Sequence, residues 1–175
     1  MPKRSIYSRE EARRLHQALA AKARGAKILL GGSVLYGEAE AGSDIDFYCI
    51  APVFLLYFLR PQLVKILYEY KGLPAKIVLV PRLGFRFGWW YIYGEDIDGN
   101  ILYSPLNKKF IIRNSVKLAL YYFIQYLEAP GVPHLWQKAA KHYAAAVLAL
   151  HSPRPLEPAF FSRLGLQRGL EAIGR

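Results

Sequence analysis

Lys27-Ile28-Leu29-Leu30-Gly31-Gly32-Ser33 is followed, after ten intervening residues, by Asp44-Ile45-Asp46-Phe47-Tyr48-Cys49-Ile50. An apolar run feeds a Gly-Gly-Ser turn, and two carboxylates stand one residue apart at the head of a second apolar run. Gly31 and Gly32 allow a tight turn and a close approach of backbone to a phosphate. The Ser33 hydroxyl and the amides of a helix starting there would then hold it. If Asp44 to Ile50 is a strand, both carboxylates leave one face while Ile45 points into the sheet. Two hard oxygen donors on one rigid surface suit Mg2+ bridging a nucleotide's phosphates, and a pair of such ions can clamp an in-line displacement. The plainer reading is a turn before a strand that happens to begin with a polar residue.

Outward from this stretch, Ser8-Arg9-Glu10-Glu11 has the spacing of a capping box, and Ala12, Leu15, Leu19 and Ala23 recur at helical spacing up to Gly25. A first amphipathic helix is predicted over residues 9–24, with Arg9, Arg13, Arg14 and Lys22 on a solvated face. A strand over 26–30, a short helix over 33–40 and a strand over 44–50 follow. Val53 to Tyr70 is apolar with Pro61 inside it. Proline suits the first turn of a helix better than its interior, so this segment divides into a turn or helix ending near Arg60 and a helix from Pro61 to Lys71. Ala75 to Val80 reads as a short buried strand bounded by Pro81.

The aromatic run Phe85 to Tyr93, the polar turn Gly94 to Asn100 and Ile101-Leu102-Tyr103 predict a hairpin. Trp89 and Trp90 read as core aromatics, with base stacking beside Arg82 and Arg86 as the alternative. From Ser104, read as a cap, and Pro105 the pattern turns helical. A second helix over 134–150 places Leu135, Ala139, Tyr143, Ala146 and Leu150 on one stripe. A third, over 158–173, is interrupted by Gly165 and Gly169. His134, His142 and His151 have no metal-binding companions and read as exposed helix residues.

A chain of 175 residues with 53% apolar and 14% aromatic residues can bury a proper core and is not a disordered segment. The single cysteine, Cys49, excludes an internal disulfide framework and a cysteine zinc site, and in a core strand it is a small buried hydrophobe. The longest apolar run, Phe47 to Leu59, holds Pro52 and is too short for a membrane span. Met1-Pro2-Lys3-Arg4 leads into charged residues rather than an apolar signal region, so a cytoplasmic protein is expected. Net charge is +11, and from Gly99 onward ten Lys or Arg face three acids. Such an excess is the footprint of a polyanionic partner such as RNA, or of an acidic protein surface. Solvated helix faces in a generally basic chain would produce it too.

Gly32-Ser33, Gly37, Ala39, Ser43 and Asp44-Ile45-Asp46 together resemble the signature of the DNA polymerase beta nucleotidyltransferase superfamily, most closely its minimal nucleotidyltransferase branch. The resemblance implies Mg2+-dependent transfer of a nucleoside monophosphate, from ATP or another nucleoside triphosphate, to a hydroxyl on a macromolecule. It places Gly31, Gly32 and Ser33 at the phosphates, and makes Asp44 and Asp46 the catalytic carboxylates and ligands of one or two Mg2+ ions.

This chain departs from the pattern at two places. Val34 and Tyr36 stand where basic residues often help hold the triphosphate; Tyr36 could stack on a base or pack on its neighbours. Complete members also carry a third Asp on the strand equivalent to 75–80, where this chain has Lys76 and no acid. Glu69 or the cluster Glu95, Asp96 and Asp98 could supply that acid. Alternatively the pair binds Mg-nucleotide without efficient transfer, or the strand aligns differently. Lys76 itself could pair with a phosphate or be a snorkelling surface residue.

The expected fold is therefore α+β: an α/β core over residues 1–104, with a small mixed β-sheet and helices packed on it, and a basic helical C-terminal region over 105–175. The rival function is a non-catalytic relative, an antitoxin-like or RNA-binding interaction protein that keeps the fold.

Overall fold

The computed structural model describes residues 8–39, 43–70, 72–89, 92–105, 107–152 and 162–173. The alternation in the second apolar run builds the sheet. Ile45, Phe47, Cys49 and Ala51 of β2 (Ile45–Ala51) are fully buried on one side. β1 (Lys27–Gly31) pairs with β2 antiparallel, and β3 (Ala75–Pro81) pairs with it parallel on the other edge. β4 (Tyr93–Glu95) and β5 (Ile101–Tyr103) form the expected hairpin against β1, giving the order β3-β2-β1-β4-β5. This is the mixed sheet of an α+β fold.

Two helices cover the buried side. α1 (Arg9–Lys22) carries the expected capping box, with the Ser8 hydroxyl accepting from the Glu11 amide at 3.1 Å and the Glu11 carboxylate accepting from the Ser8 amide at 2.6 Å. It packs Ala12, Leu15 and Leu19 against Ile28, Leu30 and Phe47. A parallel pair requires a crossover connection, and α3 (Val53–Glu69) provides it between β2 and β3.

α3 corrects the expected break at Pro61: one helix runs through the proline. Leu56, Leu59, Leu63 and Ile66 recur at helical spacing and are all buried in the core. An interior proline costs about 3 kcal/mol, whereas each such side chain contributes about 1.5–3 kcal/mol on burial, so the continuous apolar face wins. Pro61 lies on the solvent side, and the Tyr57 carbonyl it leaves without an amide belongs to a residue 78% exposed. Water can take that carbonyl.

The other side of the sheet has a smaller cluster of Leu29, Ile50, Val80 and Ile92, with Tyr48, Phe85 and Leu102 packed on it. The helix expected over 33–40 is shorter, α2 (Gly32–Leu35). Arg82 to Arg86 forms α4, so the aromatic run begins in a helical turn. Trp89 is 52% exposed rather than core, and stacks on Phe87; Trp90 lies outside the described residues. Ser104 is not a helix cap. It is fully buried, and its hydroxyl accepts from the Ile92 amide at 3.0 Å.

The chain separates into two compact units, Met1–Pro105 and Leu106–Arg175. In the second, Asn107 caps α5 (Lys108–Glu128) by accepting from the Phe110 amide. α6 (Pro133–His151) packs against α5 and against α7 (Arg163–Ile173). The buried face of α6 is rich in alanine (Ala139, Ala144, Ala145, Ala146, Ala149) with Leu148. Tyr143 and Leu150, expected on that stripe, are 65% and 59% exposed. His142 is half-buried and stacks on Tyr122. The start expected for the third helix, 158–161, lies outside the described residues. No helix among the described residues is long and apolar enough to cross a membrane.

His16 ties α1 to β1: its Nε2 lies 2.9 Å from the Ile28 carbonyl, which can only accept, so Nε2 carries the proton. Burial holds its pKa below the usual histidine value, partly offset by that bond and by the charges of Glu95 and Asp96. The neutral ring therefore contributes stability that is complete above pH about 6.5 and is lost as pH falls through the lowered folded value. In urea denaturation at stepped pH, His16→Gln should remove this share of the acid-side loss. The share from His142, also lowered by burial and by Lys141 and Lys138, should remain. Pro61→Ala should raise stability by about 1–2 kcal/mol in the same experiment, because the regained amide bond outweighs the lost rigidity of the unfolded chain.

Candidate active site

The register of three strands brings the sequence-predicted residues together. Gly31 on β1 stands opposite Asp46 on β2, and Asp46 stands opposite Lys76 on β3. Asp44 lies just before β2, whose first amide, that of Ile45, donates to the Pro74 carbonyl at 2.7 Å. Lys76 Nζ lies 3.2 Å from Asp44 Oδ2 and 3.0 Å from Asp46 Oδ1, so both carboxylates converge on one positive charge. Burial pulls the Lys76 ammonium down, but the hydrogen bond and charge of Asp46, then those of Asp44, outweigh it and hold its pKa above the ordinary lysine value.

The glycine turn sits against the same carboxylate. Gly32 has φ +70°, a conformation that side-chain-bearing residues rarely adopt, and a Cβ there would collide with Asp46 Oδ2. Gly31 is extended, and its lack of a side chain serves another purpose. A Cβ would fall 2.5 Å from the Tyr48 ring and 2.9 Å from the Tyr93 carbonyl. Ser33 is half-buried in α2, and its carbonyl accepts from the Glu38 amide at 2.8 Å. Asp46 thus has one oxygen toward Lys76 and the other over Gly32.

Several residues were assigned elsewhere by the sequence, or not at all. Glu95 leaves the sheet toward α1, where Arg9 and Arg13 approach it at 3.4 and 3.8 Å. Asp96 closes the hairpin turn by accepting from the amides of Asp98 and Asn100. Neither joins Asp44 and Asp46, and Glu69 is exposed at the end of α3. Among the described residues no third carboxylate, histidine or thiol completes a metal cluster with the pair. Tyr48, two residues beyond Asp46 on the same face, covers Gly31; burial, then the Asp46 charge and Tyr36, push its hydroxyl up to about 12, with Lys76 opposing. Strand alternation from Asp46 could have found it. The parallel stack of Tyr36 on Tyr93, centroids 5.4 Å apart, had no local signal.

Two carboxylates that converge on the Lys76 ammonium offer hard oxygen donors that would suit a divalent ion, with its remaining positions left to phosphate oxygens and water. They do not form an all-protein cage.

Gly32→Ala should destabilise the protein by about 1–2 kcal/mol in chemical denaturation, from the positive φ alone. It should also displace the Asp46 carboxylate. The chemical shifts of Asp46 and Lys76 should therefore move further than those of Ile28 and Leu30 on the same strand pair.

Comparison with curated proteins and with solved structures gives no match. The family model described as the nucleotidyltransferase domain matches residues 12–126, which take in the turn, both aspartates and Lys76. The chain belongs to the nucleotidyltransferase domain family, whose members transfer nucleotidyl groups.

Proposed function

We propose that this protein transfers a nucleoside monophosphate from a nucleoside triphosphate, ATP by default, to a hydroxyl on a macromolecule, with Mg2+ held by Asp44 and Asp46. The carrying observation is the convergence of those two carboxylates on a single cation beside the Gly31-Gly32-Ser33 turn. The assignment to the minimal branch of the family rests on the resemblance carried by Gly32-Ser33, Gly37, Ala39, Ser43 and Asp44-Ile45-Asp46. The ion would supply charge neutralisation on the phosphates where negative charge develops.

The chain's own residues do the positioning. The turn at Gly31 and Gly32 presents backbone without side chains, so a triphosphate can come close to it, and Ser33 offers a hydroxyl at its edge. Asp46, wedged over Gly32, keeps the cation position next to that turn. Lys76 adds a positive charge that can follow phosphate oxygens, since it is 56% exposed on a flexible stem. Exposed Lys108, Lys109, Arg113 and Lys117 on α5 and Lys138 and Lys141 on α6 support a polyanionic acceptor or partner such as RNA, with an acidic protein surface as the other candidate.

The test is transfer of label from an α-phosphate-labelled nucleoside triphosphate to macromolecular acceptors. Label should be transferred by the wild type with Mg2+, and Asp44→Asn combined with Asp46→Asn should reduce it by at least about 100-fold, as loss of a metal clamp does. Transfer that survives both substitutions would sink the assignment. Nucleotide binding with no transfer by the wild type would select the non-catalytic reading, an antitoxin-like or RNA-binding partner that keeps the fold.

A further inference from the structure

A phosphoryl-transfer site that clamps its substrate with two divalent ions needs enough fixed negative charge to hold both. At this site the third charged side chain is a cation. Lys76 is fixed opposite Asp46 by the parallel pairing of β2 and β3, and its ammonium bridges Asp46 Oδ1 and Asp44 Oδ2. The trio therefore carries a single negative charge overall, where three acids would carry three. The ammonium is delivered by the chain itself, so it is present at any metal concentration. Asp44 and Lys76 are about half exposed, which leaves the cation position reachable from solvent.

We infer that Lys76 takes the place of one metal ion: its ammonium is the resident cation of the Asp44–Asp46 pair, and the site admits a single divalent ion, in competition with that ammonium. The inference rests on the reading of Asp44 and Asp46 as the metal-carrying pair. It gives Lys76 a positioning role. The ammonium keeps two like charges together before metal and nucleotide arrive, and it lowers the repulsion that a metal-free triphosphate meets. With a divalent ion and nucleotide bound, Lys76 would give up at least one carboxylate oxygen, and its flexible, partly exposed stem would let the ammonium follow the phosphates.

The experiment is Mn2+ titration followed by electron paramagnetic resonance and calorimetry, without nucleotide and then with a non-hydrolysable nucleoside triphosphate analogue. Lys76→Met keeps the aliphatic stem and removes the competitor, so it should bind Mn2+ about tenfold more tightly than wild type without nucleotide, the worth of two partly exposed ion pairs. Lys76→Asp should hold two Mn2+ ions with the analogue, where wild type holds one. Thermal midpoints report whether each variant is folded, and if one is not, the other carries the test.

Mn2+ affinity unchanged or weakened in Lys76→Met, or two Mn2+ ions in wild type, would overturn the inference. Asp44→Asn with Asp46→Asn serves as the separate arm. If that pair of changes leaves Mn2+ binding intact, the metal reading itself fails. If it abolishes binding while Lys76→Met changes nothing, only the role of Lys76 fails.

Discussion

The row Gly31–Asp46–Lys76 across three strands is the constraint on which the site depends. A one-residue slip of β2 against either neighbour would exchange its two faces. It would drive Asp46 into the core now filled by Ile45, Phe47 and Cys49, and expose those residues instead. The register is thus specified by apolar burial, and the charges are carried along with it. Packing of α1 and α3 on one side decides where the carboxylates appear on the other.

The same burial explains the glycine turn. β1 ends where Tyr48 and the Tyr93 carbonyl close over it, and only a residue without a side chain fits at Gly31. The chain must then leave the sheet directly beneath the Asp46 carboxylate, which demands a second residue without a side chain at Gly32, in a left-handed conformation. Two adjacent glycines therefore answer two different steric demands, one from an aromatic ring and one from a carboxylate. Phosphate access is a consequence of that bare backbone.

Much of this was legible locally. Period-two alternation gave β2 its faces, the Ser8–Glu11 spacing gave α1 its start, and the polar turn after the aromatic run gave the β4–β5 hairpin. The misreadings share one physical origin: a local rule was overridden by burial visible only in three dimensions. Pro61 is tolerated because four side chains of α3 are buried on the far face. Ser104 has good capping chemistry, yet its hydroxyl is spent on the Ile92 amide inside the first unit. Tyr143 and Leu150 fall on a plausible stripe, but small alanines allow α6 to pack on a neighbouring face. Glu95 sat in an acidic cluster in the sequence, whereas the pleat turns it toward Arg9 and Arg13.

Lys76 shows how magnitudes separate architecture from site chemistry. An ion pair this exposed is worth at most about 1 kcal/mol, and a β-branched residue at the same place would serve β3 at least as well. Stability therefore gives little reason for a lysine there. Its removal would, however, leave Asp44 and Asp46 without the counter-charge on which both carboxylates converge. The lysine thus supplies that counter-charge to the pair at small energetic cost. Because its stem is flexible and partly in solvent, it can yield that place to a stronger cation, which a buried or rigidly packed partner could not do.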